Sequence, residues 1–287
     1  MPSMRPSRSL SLLLAALGVL MTLTAAPGVA DAAIQLVGTT TASGTNAAYN
    51  MSLTSLSGGI GTAPAANDLV VVLQMYTGTA HGNPGVGTSG YTELFDVYAN
   101  STYDANFSMN YKVMGASPDT VVSCNPSSNA ASSSVCMAYV FRGESIISPI
   151  DIATTSAHQA TGTTNSSPNC PAITPVTPDA FVFCAGGATG SAVAASITWP
   201  TTPTGIGYGT SIQADPGGAS AIVAVFGRWA TGAYDPAAWT MTMGTAAQDS
   251  WAAASIAIRP GPVRRIRLFN GYKIELIGNR LTLQPAS

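Results

Sequence analysis

The chain has 287 residues, of which 46% are hydrophobic and only 8% charged. That balance excludes an intrinsically disordered chain, which needs low hydrophobicity and high charge, and leaves room for one large or two small domains. Residues 33–258 hold three cations (Lys112, Arg142, Arg228) against eleven carboxylates, a formal −8, whereas residues 259–287 hold six cations and Glu275, a formal +5. A body of that sign repels phosphate, so nucleic acid is not an expected partner.

Residues 1–32 read as an export signal. Arg5 and Arg8 precede the apolar run SLLLAALGVLMTLTAA (11–26), and Ala30-Asp31-Ala32 has the small-residue spacing of a cleavage site. Cleavage is expected after Ala32, which makes the protein secreted or cell-surface, with no membrane segment after processing. An uncleaved anchor is the alternative, but the run is short against the roughly 20 apolar residues of a spanning helix. No cysteine lies near the cut, so a lipoprotein is not expected.

Beyond the signal, small residues dominate, with 29 Gly and 19 Pro in the chain, and the apolar runs are short. This pattern predicts an all-β domain of many short strands. In chain order the runs are DLVVVLQMY (68–76), GYTELFDVY (90–98), NYKVM (110–114), TVVSC (120–124) and VCMAYVF (135–141). After a polar, Pro-bounded linker (149–169) come DAFVFCAGG (179–187), SITWP (196–200), VFGRW (225–229), WTMTM (239–243) and SWAAASIAIRP (250–260).

The second series repeats the first. Asp68 and Asp179, 111 residues apart, open similar runs; NYKVMGASPDTVVSC (110–124) parallels VFGRWATGAYDPAAWTMTM (225–243); SVCMAYVFRG (134–143) matches SWAAASIAIRP at an offset of 116. One β-sandwich domain over 33–260 is expected, with similar halves at about 34–150 and 165–260 supplying about four strands each. The architecture expected is a jelly-roll-like antiparallel sandwich. Two separate small sandwiches are the alternative, but four strands with few large residues make a weak core.

Four cysteines, Cys124, Cys136, Cys170 and Cys184, follow the export signal, and an even number there favours disulfides over metal or redox chemistry. Local pairing, Cys124 with Cys136 and Cys170 with Cys184, fits the flanking strands. As hairpins these pairs would set Val122 opposite Ala138, Val121 opposite Tyr139 and Ile173 opposite Phe181. A cross-link of two central strands, Cys136 to Cys184, is the alternative. No C-x-x-C is present, so zinc is not expected.

Several stretches, NYKVMGAS (110–117), AYVFRGESIISPID (138–151), TPDAFVFCAGG (177–187) and ASIAIRP (254–260), resemble a widespread family of jelly-roll modules. These modules occur in secreted bacterial surface proteins and in phage virion proteins such as tail and appendage components. The resemblance spans roughly 34–260 and implies the fold; it brings no catalytic motif, and the paired cysteines depart from it.

Motifs for chemistry are scarce. His81 and His158 lie in Gly-, Thr- and Ala-rich segments, and there is no G-x-S-x-G or H-E-x-x-H. GNPGVGTSG (82–90) lacks the Lys and following helix of a phosphate loop. Asp96 and Asp151 are the nearest candidates for a glycosidase pair, but Asp151, like Asp68, Asp119 and Asp179, sits beside turn residues, where Asp is favoured for its backbone hydrogen bond. No D-x-D-x-D-G run offers calcium ligands. No catalytic residue, metal or cofactor is expected. Tyr91, Tyr98, Tyr103, Trp199, Tyr208, Trp229 and Tyr234 lie near predicted loops; of these Tyr91, Trp199, Tyr208, Trp229 and Tyr234 are the candidates for stacking against a glycan. N-x-S/T sequons stand at Asn50, Asn100, Asn106 and Asn165.

The last segment, RRIRLFNGYKIELIGNRLTLQPAS, follows a stiff Pro-Gly-Pro at 260–262. A loop of Phe269-Asn270-Gly271 with Gly271 in the left-handed region sets Leu268 opposite Tyr272, Arg267 opposite Lys273, Ile266 opposite Ile274 and Arg265 opposite Glu275. A second turn over 277–280 sets Leu281 opposite Leu276 and Leu283 opposite Ile274. One face of this meander then carries Ile266, Leu268, Tyr272, Ile274, Leu276, Leu281 and Leu283. Three short strands cannot stand alone and must bury that face, on the chain's own body or on copies of itself, for example in a trimer. The expectation is a non-catalytic surface or appendage protein making adhesive or glycan contacts and assembling through this tail. A phage structural protein (tail fibre or capsid decoration, located in the virion) and an extracellular glycan-active enzyme are the alternatives.

Overall fold

The computed structural model describes residues 33–45, 47–78, 84–99, 104–125, 133–152, 156–163, 167–190, 194–198, 212–214, 219–243, 249–267, 272–277 and 280–285. The export signal, His81, Trp199, Tyr208 and Leu268 lie outside them. Among the described residues every regular element is a strand.

The first half supplies β1 (Gln35–Gly44), β2 (Tyr49–Ser52), β3 (Leu69–Gly78), β4 (Gly85–Val86), β5 (Thr92–Ala99), β6 (Asp104–Val113), β7 (Val121–Asn125) and β8 (Ser133–Arg142). They form a five-stranded antiparallel sheet in the order β1-β8-β3-β6-β5 and a small sheet in the order β2-β7-β4. The run LVVVLQMYTG of β3 is buried at every position, as expected of a strand covered on both faces. Its alternate residues divide two cores. Leu69, Val71, Leu73 and Met75, with Val135, Met137, Tyr139 and Phe141 of β8, point one way. Val70, Val72, Ala138 and Val140 point the other way, against Met51 of β2 and Val122 of β7.

The second half supplies β9 (Ile150–Ile152), β10 (Ser156–Thr163), β11 (Ala180–Gly190), β12 (Ala194–Thr198), β13 (Ile212–Ala214), β14 (Ala219–Trp229), β15 (Thr240–Met243) and β16 (Asp249–Ile258). Its large sheet runs β10-β16-β11-β14-β13, with β9 also on β16, and β12 pairs β15. This is the order of the first large sheet, strand for strand. The turns that lead into β3 and β11 also match: Asn67 (φ 70°) and Asp179 (φ 58°) take the left-handed conformation that Asn and Asp tolerate. Asp68 N–H donates to Ala65 O at 3.2 Å, and Ala180 N–H to Thr177 O at 3.3 Å.

The two large sheets pack face to face. Phe181, Phe183, Ile256 and Ile258 of the second meet the first core, with Tyr139 and Phe183 rings 5.0 Å apart and Phe141 and Phe181 5.3 Å apart. On its far side, Val182, Cys184, Val223 and Ala253 lie under Cys170, Ile173, Tyr234 and Trp239. Trp239 fits there because Gly186 has no side chain: a Cβ on it would come within 2.9 Å of the indole. The fold is therefore an all-β antiparallel sandwich with three cores. Among the described residues each half contributes eight strands rather than about four: β4, β9 and β13 are only two or three residues long, β1 and β2 lie in polar stretches without a clear apolar run, and β9 and β10 fall in the stretch 149–169 expected to be a linker.

Both disulfides pair locally, Cys124–Cys136 and Cys170–Cys184, but not across hairpins. Cys124 on β7 has Tyr49 and Val86 as strand partners, while Cys136 on β8 has Ala42 and Gln74. Val122 accordingly faces Met51 rather than Ala138, and Val121 faces Ser52 rather than Tyr139. The reason is that β8 gives both its edges to β1 and β3, leaving β7 to cover them from outside. Phe181 likewise pairs with Arg228 and Ile258, and Ile173 bridges Tyr234 instead. Each disulfide fastens an outer layer onto a large sheet.

The body Asp31–Pro262 is one compact unit, and the sheet from Val263 onward belongs to another. The latter comprises β17 (Val263–Arg267), β18 (Tyr272–Ile277) and β19 (Arg280–Pro285) in that order. Its register is the expected one: Ile266 pairs Ile274, Arg265 pairs Glu275, Ile274 pairs Leu283 and Leu276 pairs Leu281.

Candidate functional site

The cations of the body are engaged in ion pairs within the fold. Arg142 donates from Nε and Nη2 to the two carboxylate oxygens of Asp68 at 2.7 and 2.8 Å, and Asp68, only 1% exposed, also accepts from Ala65 N–H at 2.7 Å. Lys112 Nζ lies 2.7 Å from Asp119 Oδ2, and Arg228 Nη2 lies 2.8 Å from Asp179 Oδ1 on the surface. Arg259, just past β16, reaches Asp151 Oδ1 at 3.1 Å.

Asp151 is a fastener rather than a catalytic acid. Its side chain is fully buried and accepts from Val176 N–H at 2.7 Å, Thr177 N–H at 3.0 Å, the Thr177 hydroxyl and Arg259 Nε at 3.1 Å. Burial alone would raise its carboxyl, but these donors hold it below the ordinary value. Asp96 stands on β5, in the other large sheet, opposite Ser108. With both oxygens of Asp151 committed to the Thr177–Arg259 knot, the two carboxylates do not make a glycosidase pair.

The aromatic candidates divide. Tyr234 is wholly buried in the core it shares with Trp239, so it offers no exposed ring; the Gly- and Pro-containing segment that carries it is drawn inward by its backbone bridge to Ile173. Trp229 is half-buried, its Nε1–H donating to Gly232 O at 3.1 Å and its ring 5.5 Å from that of Tyr234. Tyr91 is half-buried against the first half's outer core, with Lys112 Nζ 5.4 Å from its ring centroid. Burial, then the charge of Asp119, pushes the Tyr91 hydroxyl well above its ordinary value. Of His158 the structure gives the backbone, paired with Ala252. In the glycine run, Gly85 pairs with β7 and donates its N–H to Gln74 Oε1 at 3.1 Å, a strand role.

A polar row that sequence reasoning missed runs along β6. Ala105, Phe107 and Met109 enter the shared core, so Asn106, Ser108 and Asn110 lie on the opposite, outer face. Register sets Asn110 opposite Glu93, Ser108 opposite Asp96 and Asn106 opposite Tyr98 on β5, with Ser108 flanked on its other side by Gln74 of β3. Tyr98 donates to Asp104 Oδ2 at 2.8 Å; burial, followed by that hydrogen bond, pushes its hydroxyl up to about 12. Gln74 donates to Ser134 Oγ at 3.1 Å, and Tyr49 meets the same oxygen at 2.8 Å. The signal in the sequence was the alternation of D-A-N-F-S-M-N-Y-K (104–112), which reads as a solvent face. The structure buries it.

Comparison with known proteins adds no relative: no protein family, no curated protein and no solved structure matches this chain.

Proposed function

We propose that the protein is a secreted, non-catalytic surface or appendage protein, rigid in its body, assembled through its C-terminal sheet, and making adhesive or glycan contacts from the body. The observation that carries this reading is the division of labour among its charges. In the body, the cations are used up in tying loops to strands, and Asp151, the better-placed acid, is spent the same way. The C-terminal sheet instead brings Ile266, Ile274 and Leu283 into one row across three strands, with Arg267 beside Lys273 in the next. A three-stranded sheet of this size needs a partner surface for its apolar row. The two disulfides fit an oxidising, extracellular compartment. The sheet orders β1-β8-β3-β6-β5 and β2-β7-β4 support the reading of a jelly-roll-like sandwich. The test replaces Ile266, Ile274 and Leu283 by Ser: assembled species should disappear while the body keeps its melting temperature. Assembly that survives the triple change refutes the tail's role.

A further inference from the structure

Glu144, just past β8, is a buried carboxylate left without a cation. It is 4% exposed, and neither of its oxygens has a well-formed hydrogen bond. The charged groups that face it are Asp68, at the turn into β3, and Arg142, at the end of β8. Arg142 is held by both oxygens of Asp68, at 2.7 and 2.8 Å. Arg259 comes close through its backbone, its carbonyl accepting from Ser145 N–H at 2.8 Å, but its guanidinium lies on Asp151. Buried charges are normally paired, so the site calls for a cation that these contacts do not supply.

The expected start of the mature chain lies beside it. The register that pairs Gln35 with Arg142 runs on past the ends of β1 and β8, setting Ile34 beside Gly143 and Ala33 beside Glu144. Gly143 (φ 100°) shows how close the two segments come: a Cβ there would stand 2.8 Å from Ala33 O and 3.5 Å from Ile34 Cα. Ile34 packs on the shared core and holds this stretch down, while Ala33 is exposed at the rim. We propose that cleavage after Ala32 turns this rim into a docking site, in which the new α-ammonium of Ala33 forms an ion pair with the Glu144 carboxylate. This rests on the export reading above. The partner belongs to the wall of the site, so nothing has to enter from solvent, and a first residue with no chain before it is free to turn its amine inward. In the full-length chain Ala33 N is an uncharged amide, and burial holds the Glu144 carboxyl up at about 8. In the processed chain the pair raises the amine and lowers the carboxyl. The body thus reaches its full stability at neutral pH only after the signal is removed.

The test begins with the mass of the protein exported by a secreting host, which should start at Ala33. A protein that keeps residues 1–32 overturns the export reading and the pair together; a start at another residue overturns the pair alone. Chains 33–287 and 32–287 carry the same charges and differ only in where the ammonium stands. Acetylation of the N-terminus near pH 7, read by mass spectrometry, should be at least about tenfold slower in 33–287 than in its Glu144→Gln variant, as for an amine raised one pH unit above its ordinary range of about 7.7–8.0. In 32–287 the same substitution should leave the rate unchanged. The melting temperature of 33–287 should hold from about pH 5 to about pH 8, while that of 32–287 falls, because an acid raised by folding loses its contribution as pH rises through that interval. If 33–287 and its Gln variant react equally fast, export stands and this site falls. Should the Gln variant not fold, 33–287 against 32–287 carries the test, and equal melting at every pH overturns the pair.

Discussion

Glu144 follows β8, where its backbone bridges Pro260. It is 4% exposed, and neither carboxylate oxygen has a well-formed hydrogen bond; the nearby backbone N–H groups of Glu144 and Leu69 offset its burial only in part. Burial pushes its carboxyl from the ordinary 4.5 up to about 8. A group whose folded value lies above its unfolded one binds its proton more tightly in the native state. Its stability is therefore full below the unfolded value and falls as pH rises between 4.5 and about 8. At about 1.36 kcal/mol per pH unit, that interval corresponds to a loss of about 5 kcal/mol. Glu144→Gln keeps the shape and removes the charge, and with it the slope. Urea unfolding at pH values from about 5 to about 9 measures this: the full-length wild type should lose several kcal/mol across the range, while the Gln chain should lose little and be the more stable of the two at the alkaline end. Parallel curves for the two chains would refute the reasoning.

Three further outcomes follow from the same structure. Replacing Cys124 and Cys136 by Ser opens a loop of sequence separation 12 and should cost about 3 kcal/mol in denaturant unfolding; hydrogen exchange should quicken in β2 and β7 but not in β3, since the bond holds the outer layer. Asp151→Ala breaks the knot with Thr177 and Arg259 and leaves a partly buried cation, a loss of about 3 kcal/mol. Because the Asp151 carboxyl lies below its ordinary value, its contribution in the wild type should be lost only as pH falls through that lowered value. In a glycosylating host, mass spectrometry should find glycan on exposed Asn50 and none on Asn106, which is fully buried.

What was legible in the sequence was local. The register of the C-terminal sheet follows from one left-handed turn position and strand alternation, so Ile266, Ile274 and Leu283 aligned as expected. The local disulfide partners are the expected ones, although the hairpin register that suggested them is not the one formed. Alternation tells which face a residue takes but not which layer covers it, so TVVSC looked like the hairpin partner of β8 when it is part of the lid above it. The same blindness hid two features of the candidate surfaces. Tyr234 sits among Gly and Pro, which reads as an exposed loop, yet a backbone bridge carries it into a core. The polar alternation of β6 reads as a wetted face, and only its burial marks it as unusual.

Assembly through the C-terminal sheet is the central claim, and the mass in solution tests it most directly. Residues 33–287 would be compared with the same chain ended at Gly261, by light scattering over a range of concentrations. The account predicts a trimer or higher assembly for the longer chain and a folded monomer for the shorter. Monomers in both cases, or one oligomer of unchanged order in both, would contradict it.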